Sequence, residues 1–503
     1  TPPAGSGGPP RALACGPGEH LERLEPQPLW RHFRTLCNTP RPSGHEAALV
    51  ALLEAWADEQ GLAHDRDAFG NLRLRKPATP GCEGAPGVIL QAHLDMVPQA
   101  NAGSAHDFTR DPIRTRIGDD GWLRATDTTL GADNGLGAAA ALAILEDDTL
   151  THGPLEALFT LEEESSMGGA LNLAEEWLEG QLLLNLDSED RGEVYIGCAG
   201  GADVVVEAQL PTAPVAEEEA LMRLSLTGLR GGHSGMDIHK GLGNANRLLV
   251  RVLRALASCE VRLVDYHGGT LRNALPREAF ATLVLPADQR EAARARVAAL
   301  EAELRAELAG VDEGLTLTLE PADAALGEAL TAQASHLLVA ALHAAPCGVE
   351  RMSSEVPGVV ETSNNLGVVN LEDGRFHLCA LVRSLRDSAT ADLADRFEAL
   401  FALIGARVRV ENAYPGWTPQ PDSDLLGRFC RLHRERLGSD PAVKVIHAGL
   451  ECGILGGKYP ALEMISFGPL IRGAHSPDER AEIASVAEFW MLLRALVEDL
   501  AGT

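Results

Sequence analysis

The chain has 503 residues, of which 45% are hydrophobic, and 43 Lys and Arg against 72 Asp and Glu give it a formal net charge of −29. A chain of this length is expected to form more than one domain, because single domains usually span ~100–200 residues. A surface this acidic repels phosphate backbones and anionic lipids, so nucleic acids and membrane surfaces are disfavoured as partners.

The first half of the chain has the pattern of an α/β protein. Residues 1–17 are rich in Pro and Gly and are predicted to be a disordered N-terminal extension. From 18 to 200, short apolar strands alternate with helical stretches, which predicts a layered α/β domain with a mostly parallel central sheet. The predicted strands are 87–92, 155–161 and 182–186, and the predicted helices are 49–56 and 138–145.

The middle of the chain has a different pattern. Alternating strands are predicted over 204–210 and 221–226, and amphipathic helices over 244–257 and 289–308. This pattern is typical of a separate α+β domain, which we place at 201–412. Residues 413–503 return to α/β character. The predicted architecture is therefore a split catalytic domain, 18–200 and 413–503, with an inserted α+β lid or dimerisation domain.

Acidic and histidine motifs follow the predicted strands of the first part. His93 and Asp95 follow the first strand, the triplet Glu162–Glu164 follows the second, and Asp187 follows the third. Asp133 lies where a loop opens into a helix, a natural N-cap position. Since open α/β sheets place their sites at the carboxyl ends of neighbouring strands, we expect these side chains to lie close together.

Together with His475, these side chains can bind a pair of divalent metal ions. Two metals ~3.5–4 Å apart need a bridging ligand and capping ligands. Asp133 is suited to bridge because a carboxylate has two oxygens, and His93, Glu164, Asp187 and His475 are the candidate capping ligands. A buried carboxylate cluster is costly unless cations neutralise it. Mixed histidine and carboxylate ligation suits Zn²⁺, and also Mn²⁺ or Co²⁺.

Two carboxylates near these ligands have other predicted roles. Asp95 can hold the second ring nitrogen of His93 and so fix its tautomer. Glu163 need not bind metal and can take a proton from water and pass it to a leaving amine. This combination predicts a metal-dependent hydrolase.

Each motif also has an ordinary explanation. Asp133 can simply cap a helix, the Glu162–Glu164 triplet can be a solvated helix start, and His475 can be a loop histidine. A His-x-Asp pair is often two solvated polar residues on the protein surface, and Asp187 can belong to a turn. The joint placement of these motifs at successive strand ends favours the metal site.

The cysteines and the absence of targeting signals predict a cytoplasmic protein. The nine cysteines are scattered and form no CxxC pair, which indicates reduced thiols rather than a disulfide framework. We find no signal-peptide pattern and no apolar run near ~18 residues, so no membrane span is expected.

Nine longer motifs identify a family resemblance. They are HLDMVPQ (93–99), TLGADNG (129–135), LDSE (186–189), GCAGG (197–201), GLRGGHSG (228–235), GLGNAN (241–246), GGTLRNALPRE (268–278), IHAGLECG (446–453) and HSPDE (475–479). From about Pro26 to the C-terminus, the chain resembles the aminoacyl-histidine dipeptidases, also called Xaa-His or cytosol non-specific dipeptidases. These are dinuclear zinc peptidases related to peptidase T and carboxypeptidase G.

The resemblance implies a role for each metal-site residue. It implies that His93 and Asp187 bind one metal, that Glu164 and His475 bind the other, and that Asp133 bridges them. It also implies that Glu163 is the general base and that Asp95 is the carboxylate behind His93. The family usually has two glutamates here, whereas this chain has a third, Glu162. Counting back from Met167-Gly168-Gly169 favours Glu163 as base and Glu164 as ligand.

The resemblance also implies substrate contacts outside the metal cluster. His233, in the inserted domain, is expected to stabilise the oxyanion that develops on the scissile carbonyl. Asn273 and Arg383 are expected to hold substrate, with the arginine gripping its C-terminal carboxylate. His447 and Glu451 are expected to contact the amino end. Without the resemblance, His233 would be a loop histidine, Arg383 a surface charge, and His447 with Glu451 a helix-face pair.

The predicted function is hydrolysis of dipeptides, including Xaa-His and carnosine-like peptides, by water that two divalent metals activate. Domain closure is expected to complete the site, and a homodimer is expected from the family. One alternative is a deacylase, aminopeptidase or carboxypeptidase of the same metallopeptidase clan. The other is a metal-binding scaffold that has lost catalysis.

Overall fold

The structure is a computed structural model that describes residues 19–101, 103–322 and 327–502. The predicted disordered extension, 1–17, lies outside the described residues. The α-helices are α1 Gln27–Asn38, α2 Ala47–Gln60, α3 Ala132–Glu146, α4 Glu163–Ser166, α5 Gly168–Leu171, α6 Ala245–Ala255, α7 Arg290–Glu307, α8 Ala332–Ala344, α9 Asp387–Ala402, α10 Asp424–Leu437, α11 Glu451–Lys458 and α12 Ile483–Ala501.

The strands are β1 Ala63–Arg66, β2 Leu72–Lys76, β3 Val88–His93, β4 Thr115–Ile117, β5 Trp122–Ala125, β6 Leu155–Thr160, β7 Leu182–Asn185, β8 Glu193–Cys198, β9 Gly200–Gln209, β10 Thr212–Pro214, β11 Glu219–Thr227, β12 Arg262–Gly268, β13 Ala279–Pro286, β14 Thr316–Pro321, β15 Glu328–Leu330, β16 Gly348–Met352, β17 Val360–Glu372, β18 Arg375–Ser384, β19 Arg407–Tyr414, β20 Ala442–Ile446, β21 Glu463–Ser466, β22 Ile471–Arg472 and β23 Arg480–Glu482. Short 3₁₀ turns occur at Glu19–Arg23, Ile238–Lys240, Ala257–Cys259 and Ala287–Gln289.

The chain folds into two compact units. The first contains the residues up to Ile196, then Gln420–Lys444, and then those from Lys458 onward. The second contains Gly197–Pro419 and Val445–Gly457. The segment 445–457 lies in the predicted second catalytic part but packs with the second unit. The predicted domain limits themselves stay a prediction.

The first unit is built on an eight-stranded sheet in the order β1-β2-β6-β3-β7-β21-β8-β20. Its four central strands, β6, β3, β7 and β21, are parallel, and β1, β2 and β8 add antiparallel pairings. Every residue of β3, β6 and β7 is buried, as expected for strands covered on both faces. A mixed α/β fold with a mostly parallel central sheet was predicted, and this prediction is confirmed.

Small residues allow α3 to pack closely inside the first unit. All residues from Ala132 to Leu145 are buried. A Cβ at Gly137 would lie only 2.4 Å from the backbone oxygen of Leu186, so only glycine fits this approach to the end of β7. The close packing brings the start of α3 beside the carboxyl end of the sheet.

The second unit is built on a nine-stranded antiparallel sheet with β19 at one edge. The order is β14-β11-β13-β12-β17-β18-β9-β19, with β16 paired to β17. Side-chain caps define two of its helices: Asn244 accepts a hydrogen bond from Arg247 N at α6, and Thr331 accepts one from Ala334 N at α8. Antiparallel strands with helices are the α+β pattern predicted for this segment.

Two expectations about the cysteines and the helices can be compared with the described residues. Eight of the nine cysteines lie in this part of the chain, and each of the eight is a free thiol. No helix of the described ranges is both long enough and apolar enough to cross a bilayer.

Candidate metal centre and substrate-binding residues

The carboxylate of Asp133 lies between two histidine side chains of the first unit. Its Oδ1 is 3.1 Å from His93 Nε2, and its Oδ2 is 3.1 Å from His475 Nε2. His93 and Asp133 are buried, whereas the side chain of His475 is 55% exposed. Each oxygen of one carboxylate therefore faces a different imidazole, which suits a ligand that bridges two cations.

A further carboxylate accompanies each histidine. Asp187 Oδ1 is 3.4 Å from His93 Nε2, and Glu164 Oε2 is 3.0 Å from His475 Nε2. One ligand atom from each of His93, Asp133 and Glu164 lies within 4.8 Å of the other two. The structure thus brings together the five side chains predicted as ligands, in two sets that share Asp133.

The three glutamates after β6 differ in their surroundings. Glu162 occupies the turn before α4, with a φ of +54°. Glu163 Oε2 lies 3.8 Å from His93 Nε2, whereas Glu164 contacts His475. This order agrees with Glu163 as the base and Glu164 as a ligand, although the roles themselves stay predictions.

Asp95 is fully buried and makes four polar contacts. Its Oδ1 is 3.3 Å from His93 Nδ1 and accepts a hydrogen bond from Glu163 N at 3.0 Å. Its Oδ2 accepts hydrogen bonds from Glu164 N at 3.0 Å and from Ser43 Oγ at 2.6 Å. Burial alone would raise the pKa of Asp95, but hydrogen bonding with His93, the charge of His93 and the Ser43 bond lower it to about 2. Asp95 is thus ionised, and its carboxylate contacts the ring of His93 and the backbone N–H groups of Glu163 and Glu164.

Two buried charged residues that no sequence pattern indicated hold the loops of this cluster. Arg41 Nη1 donates to Leu94 O at 2.8 Å, and its Nη2 donates to Gly131 O at 2.6 Å. Glu479 accepts hydrogen bonds from Gly131 N and Asp133 N at 2.9 and 3.1 Å. Glu479 belongs to the quoted HSPDE motif, but hydrophobic periodicity carries no signal for such contacts to distant backbone groups.

The charges in this cluster strongly affect one another. Hydrogen bonds that His475 donates to the carboxylates of Asp133 and Glu164 raise the pKa of His475 to about 11. Burial, followed by the charges of Asp133 and Asp187, raises the pKa of Glu189 to about 9. Burial and the charge of Asp133 also raise the pKa of Glu164. The site therefore concentrates negative charge in a place with little water.

The residues present fit divalent cations. The donor set combines two imidazoles with three carboxylates, which is suitable for zinc. Glu164 Oε1 is buried and has no hydrogen-bond partner among the described residues, a costly state that a cation would relieve. A cation would also offset the repulsion between the negative charges that raises the pKa values of Glu164 and Glu189.

We expect Asp95→Asn to lower metal affinity about 10- to 100-fold, the usual effect of removing a group that orients a ligand. An asparagine has one acceptor oxygen, so it cannot accept from both Glu163 N and Glu164 N while facing His93 Nδ1. Ser43→Ala removes only one bond to Asp95 and should have a smaller effect. Zinc titration of both variants measures the difference. Equal affinities in Asp95→Asn and the parent protein would contradict this role.

His233 of the second unit has a defined tautomer. Its Nδ1 accepts hydrogen bonds from Gly235 N at 3.1 Å and Met236 N at 3.0 Å. The ring proton therefore resides on Nε2, which is left as a donor. Burial and the charge of Arg383 lower the pKa of His233, so the ring is neutral at physiological pH.

Arg383 and His447 are buried in the second unit. No carboxylate of the described residues lies within 4 Å of the Arg383 guanidinium, and its Nε has no hydrogen-bond partner among them. Ser363 Oγ is 2.7 Å from His447 Nε2. Burial and the charges of Arg383 and His233 lower the pKa of His447 to about 3. A buried cation without a counter-ion is expected to bind an anionic group.

The remaining predicted residues also lie in the second unit. Asn273 is exposed, and its backbone oxygen accepts a hydrogen bond from Ser234 N at 2.9 Å. Glu451 is buried at the first position of α11, whereas His447 precedes that helix. His447 and Glu451 therefore do not form a pair on one helix face, and that alternative explanation is excluded.

Comparison with known proteins gives consistent results over nearly the whole chain. Residues 89–499 match the peptidase family M20/M25/M40. The chain is 45% identical over 481 residues to the cytosol non-specific dipeptidase of Escherichia coli (strain K12), which covers 95% of this chain and 99% of that protein.

Solved structures of two peptidases are similar to this chain. An aminoacylhistidine dipeptidase from Vibrio alginolyticus has a TM-score of 0.90 at 44% identity, covering 95% of this chain and 98% of that one. An aminopeptidase PepT from Bacillus cereus has a TM-score of 0.54 at 17% identity, covering 95% and 99%, and shows a common fold only.

Proposed function

This chain belongs to the peptidase family M20/M25/M40, and we infer that it is a metal-dependent dipeptidase whose substrates include Xaa-His dipeptides. The observation that carries this conclusion is 45% identity, over 95% of the chain, to a protein named cytosol non-specific dipeptidase. The Vibrio relative named aminoacylhistidine dipeptidase, at 44% identity, supports the preference for a C-terminal histidine.

We propose that the metal centre holds two zinc ions. His93 and Asp187 would bind one, Glu164 and His475 the other, and Asp133 both. When bound, such ions activate water and polarise a carbonyl group. The mixed donor set also accommodates Co²⁺ or Mn²⁺. Metal analysis of the purified protein, before and after chelation, identifies the ion.

The protein groups then have separate tasks in the reaction. Glu163 removes the proton from the attacking water and delivers it to the leaving amine. Asp95 keeps His93 in its tautomer and fixes the start of α4 through the N–H groups of Glu163 and Glu164. The fixed start of α4 limits the positions that the Glu163 side chain can adopt.

The second unit supplies groups that bind the substrate. His233 presents Nε2–H to the oxygen on which negative charge develops, because its Nδ1 is already occupied by two backbone donors. Arg383 binds the substrate C-terminal carboxylate, since its buried guanidinium has no carboxylate partner. Asn273, His447 and Glu451 are proposed to hold the rest of the dipeptide.

The expected substrates distinguish this function from a deacylase with the same metal ligands. We expect cleavage of Ala-His and carnosine at rates well above those for N-acetyl amino acids, because only the dipeptides have a free amino group for His447 and Glu451 to contact. Both classes of substrate have the carboxylate that Arg383 is proposed to bind. Release of histidine from Ala-His, compared with deacylation under the same metal loading, measures this. Efficient deacylation with no cleavage of Ala-His would reject the dipeptidase.

We also propose a cytoplasmic homodimer. The location follows the Escherichia coli relative, which is named a cytosol protein. The strand β19 is an edge of the nine-stranded sheet, and its Val410 is 52% exposed, so a second copy can cover this edge. Molar mass from light scattering tests the dimer, and a purely monomeric species at micromolar concentration would exclude it.

A further inference from the structure

The side chain of Arg383 has a single anchor among the described residues, although it is only 5% exposed. Its Nη1 donates a hydrogen bond to Tyr414 Oη at 3.0 Å. Asp203, a buried acid whose charge acts on Arg383, is engaged elsewhere: it lies 2.9 Å from Arg272 Nη1 and accepts from Asn412 Nδ2 at 2.7 Å. The orientation of the guanidinium therefore depends on one phenol.

Strand register explains how that phenol reaches the arginine. Arg383 on β18 is paired with Gly201 on β9, and Gly201 is paired in turn with Tyr414 on β19. The three residues form one row across three strands, with glycine in the middle. A Cβ at Gly201 would lie 2.7 Å from Tyr414 Oη and 2.9 Å from its Cζ. The missing side chain thus opens the path along which Tyr414 crosses to Arg383.

We propose that Tyr414 is a positioning residue that orients Arg383 for the substrate carboxylate, and that Gly201 is required because it admits the phenol. This inference rests on the proposed role of Arg383. It also explains the last of the three glycines in the motif GCAGG, Gly201.

A phenol suits this task better than a carboxylate would. Burial raises the pKa of Tyr414, against the opposing charge of Arg383, so the hydroxyl is neutral at physiological pH. A neutral oxygen can accept a hydrogen bond from the guanidinium without cancelling its charge. An aspartate in the same place would form an ion pair with Arg383 and would compete with the substrate carboxylate.

The test compares Tyr414→Phe with the parent protein on two substrates. For Ala-His, we expect KM to rise about tenfold, equivalent to ~1.4 kcal/mol, with kcat changed less than about twofold, because the change affects binding of the carboxylate. For Ala-histidinamide, which lacks the carboxylate, KM should not change. Inhibition by histidine and by histidinamide gives the same comparison without turnover of the amide.

Matched variants separate positioning from general damage. Gly201→Ala should reproduce the effect of Tyr414→Phe, because its methyl group displaces the phenol. Tyr266→Phe removes a buried hydroxyl of the same unit, which donates to Asn246, and should leave the ratio between the two substrates unchanged. An equal loss on both substrates in Tyr414→Phe would overturn the inference.

Arg383→Gln distinguishes the two levels of the proposal. If this variant abolishes the preference for the carboxylate while Tyr414→Phe preserves it, the positioning role is wrong and the binding role stands. If Arg383→Gln preserves the preference, the proposed carboxylate site itself is wrong, and the role of Tyr414 is rejected with it.

Discussion

Replacement of Glu163 by glutamine is expected to lower kcat about 10²- to 10⁴-fold, the usual contribution of a general base. Glutamine has nearly the same size but cannot accept a proton at neutral pH. Because Glu163 is proposed to transfer protons and not to bind metal, zinc content and KM should change little. Steady-state rates with Ala-His, together with metal analysis, measure both expectations.

Glu162 offers a matched control one residue away. Glu162→Gln makes the same chemical change in the turn before α4, and the variant should keep nearly full activity. Glu164→Gln, by contrast, should lose metal, because Glu164 contacts His475. If Glu162→Gln were inactive and Glu163→Gln active, the assignment of the triplet would be shifted by one residue. If Glu163→Gln were active and Glu162→Gln unaffected, the base would lie elsewhere.

Replacement of Asp133 by asparagine is expected to remove the metal centre as a unit. An amide has one oxygen, so it cannot offer an acceptor atom to both His93 and His475, as the two oxygens of Asp133 do. We expect bound zinc to fall after dialysis and activity to fall about 10³-fold or more, because metal catalysis contributes several kcal/mol and each 1.36 kcal/mol is tenfold.

Asp127→Asn is the control for this change. Asp127 is exposed six residues before Asp133 and has a φ of +63°, a conformation that asparagine also tolerates. It loses the same charge, yet it should keep its zinc and its activity. Circular dichroism of both variants checks that the fold persists. Full zinc content in Asp133→Asn would contradict the bridging role, whereas loss of the fold would be visible in the spectrum.

Local patterns in the sequence were sufficient for the elements of the first unit and for the family. Apolar runs predicted β3, β6 and β7 to within one residue of their observed limits, because fully buried strands leave a continuous apolar signal. The motifs indicated the aminoacyl-histidine dipeptidases, and the comparisons confirm that prediction. The roles of the individual site residues remain predictions.

Only the tertiary structure decided the contacts between residues that lie far apart in the chain. Arg41 and Glu479 both form hydrogen bonds with the backbone of Gly131, in the loop before Asp133. Arg41 is 90 residues from Gly131 in the sequence, and Glu479 is 348 residues from it. Buried polar contacts of this kind leave no periodicity. Likewise, nothing in the sequence indicates that Tyr414 shares a row with Arg383.

The sequence by itself determined which side chains follow each strand, because alternation and turn residues are local properties. It also determined the reaction class, since the motifs have a characteristic order. The fold alone decided which oxygen of Asp133 faces which imidazole, and it places Glu164 beside His475, as the motifs had indicated. Those choices depend on how parallel strands and the start of α3 pack together, and packing between distant segments is not encoded in any short stretch of residues.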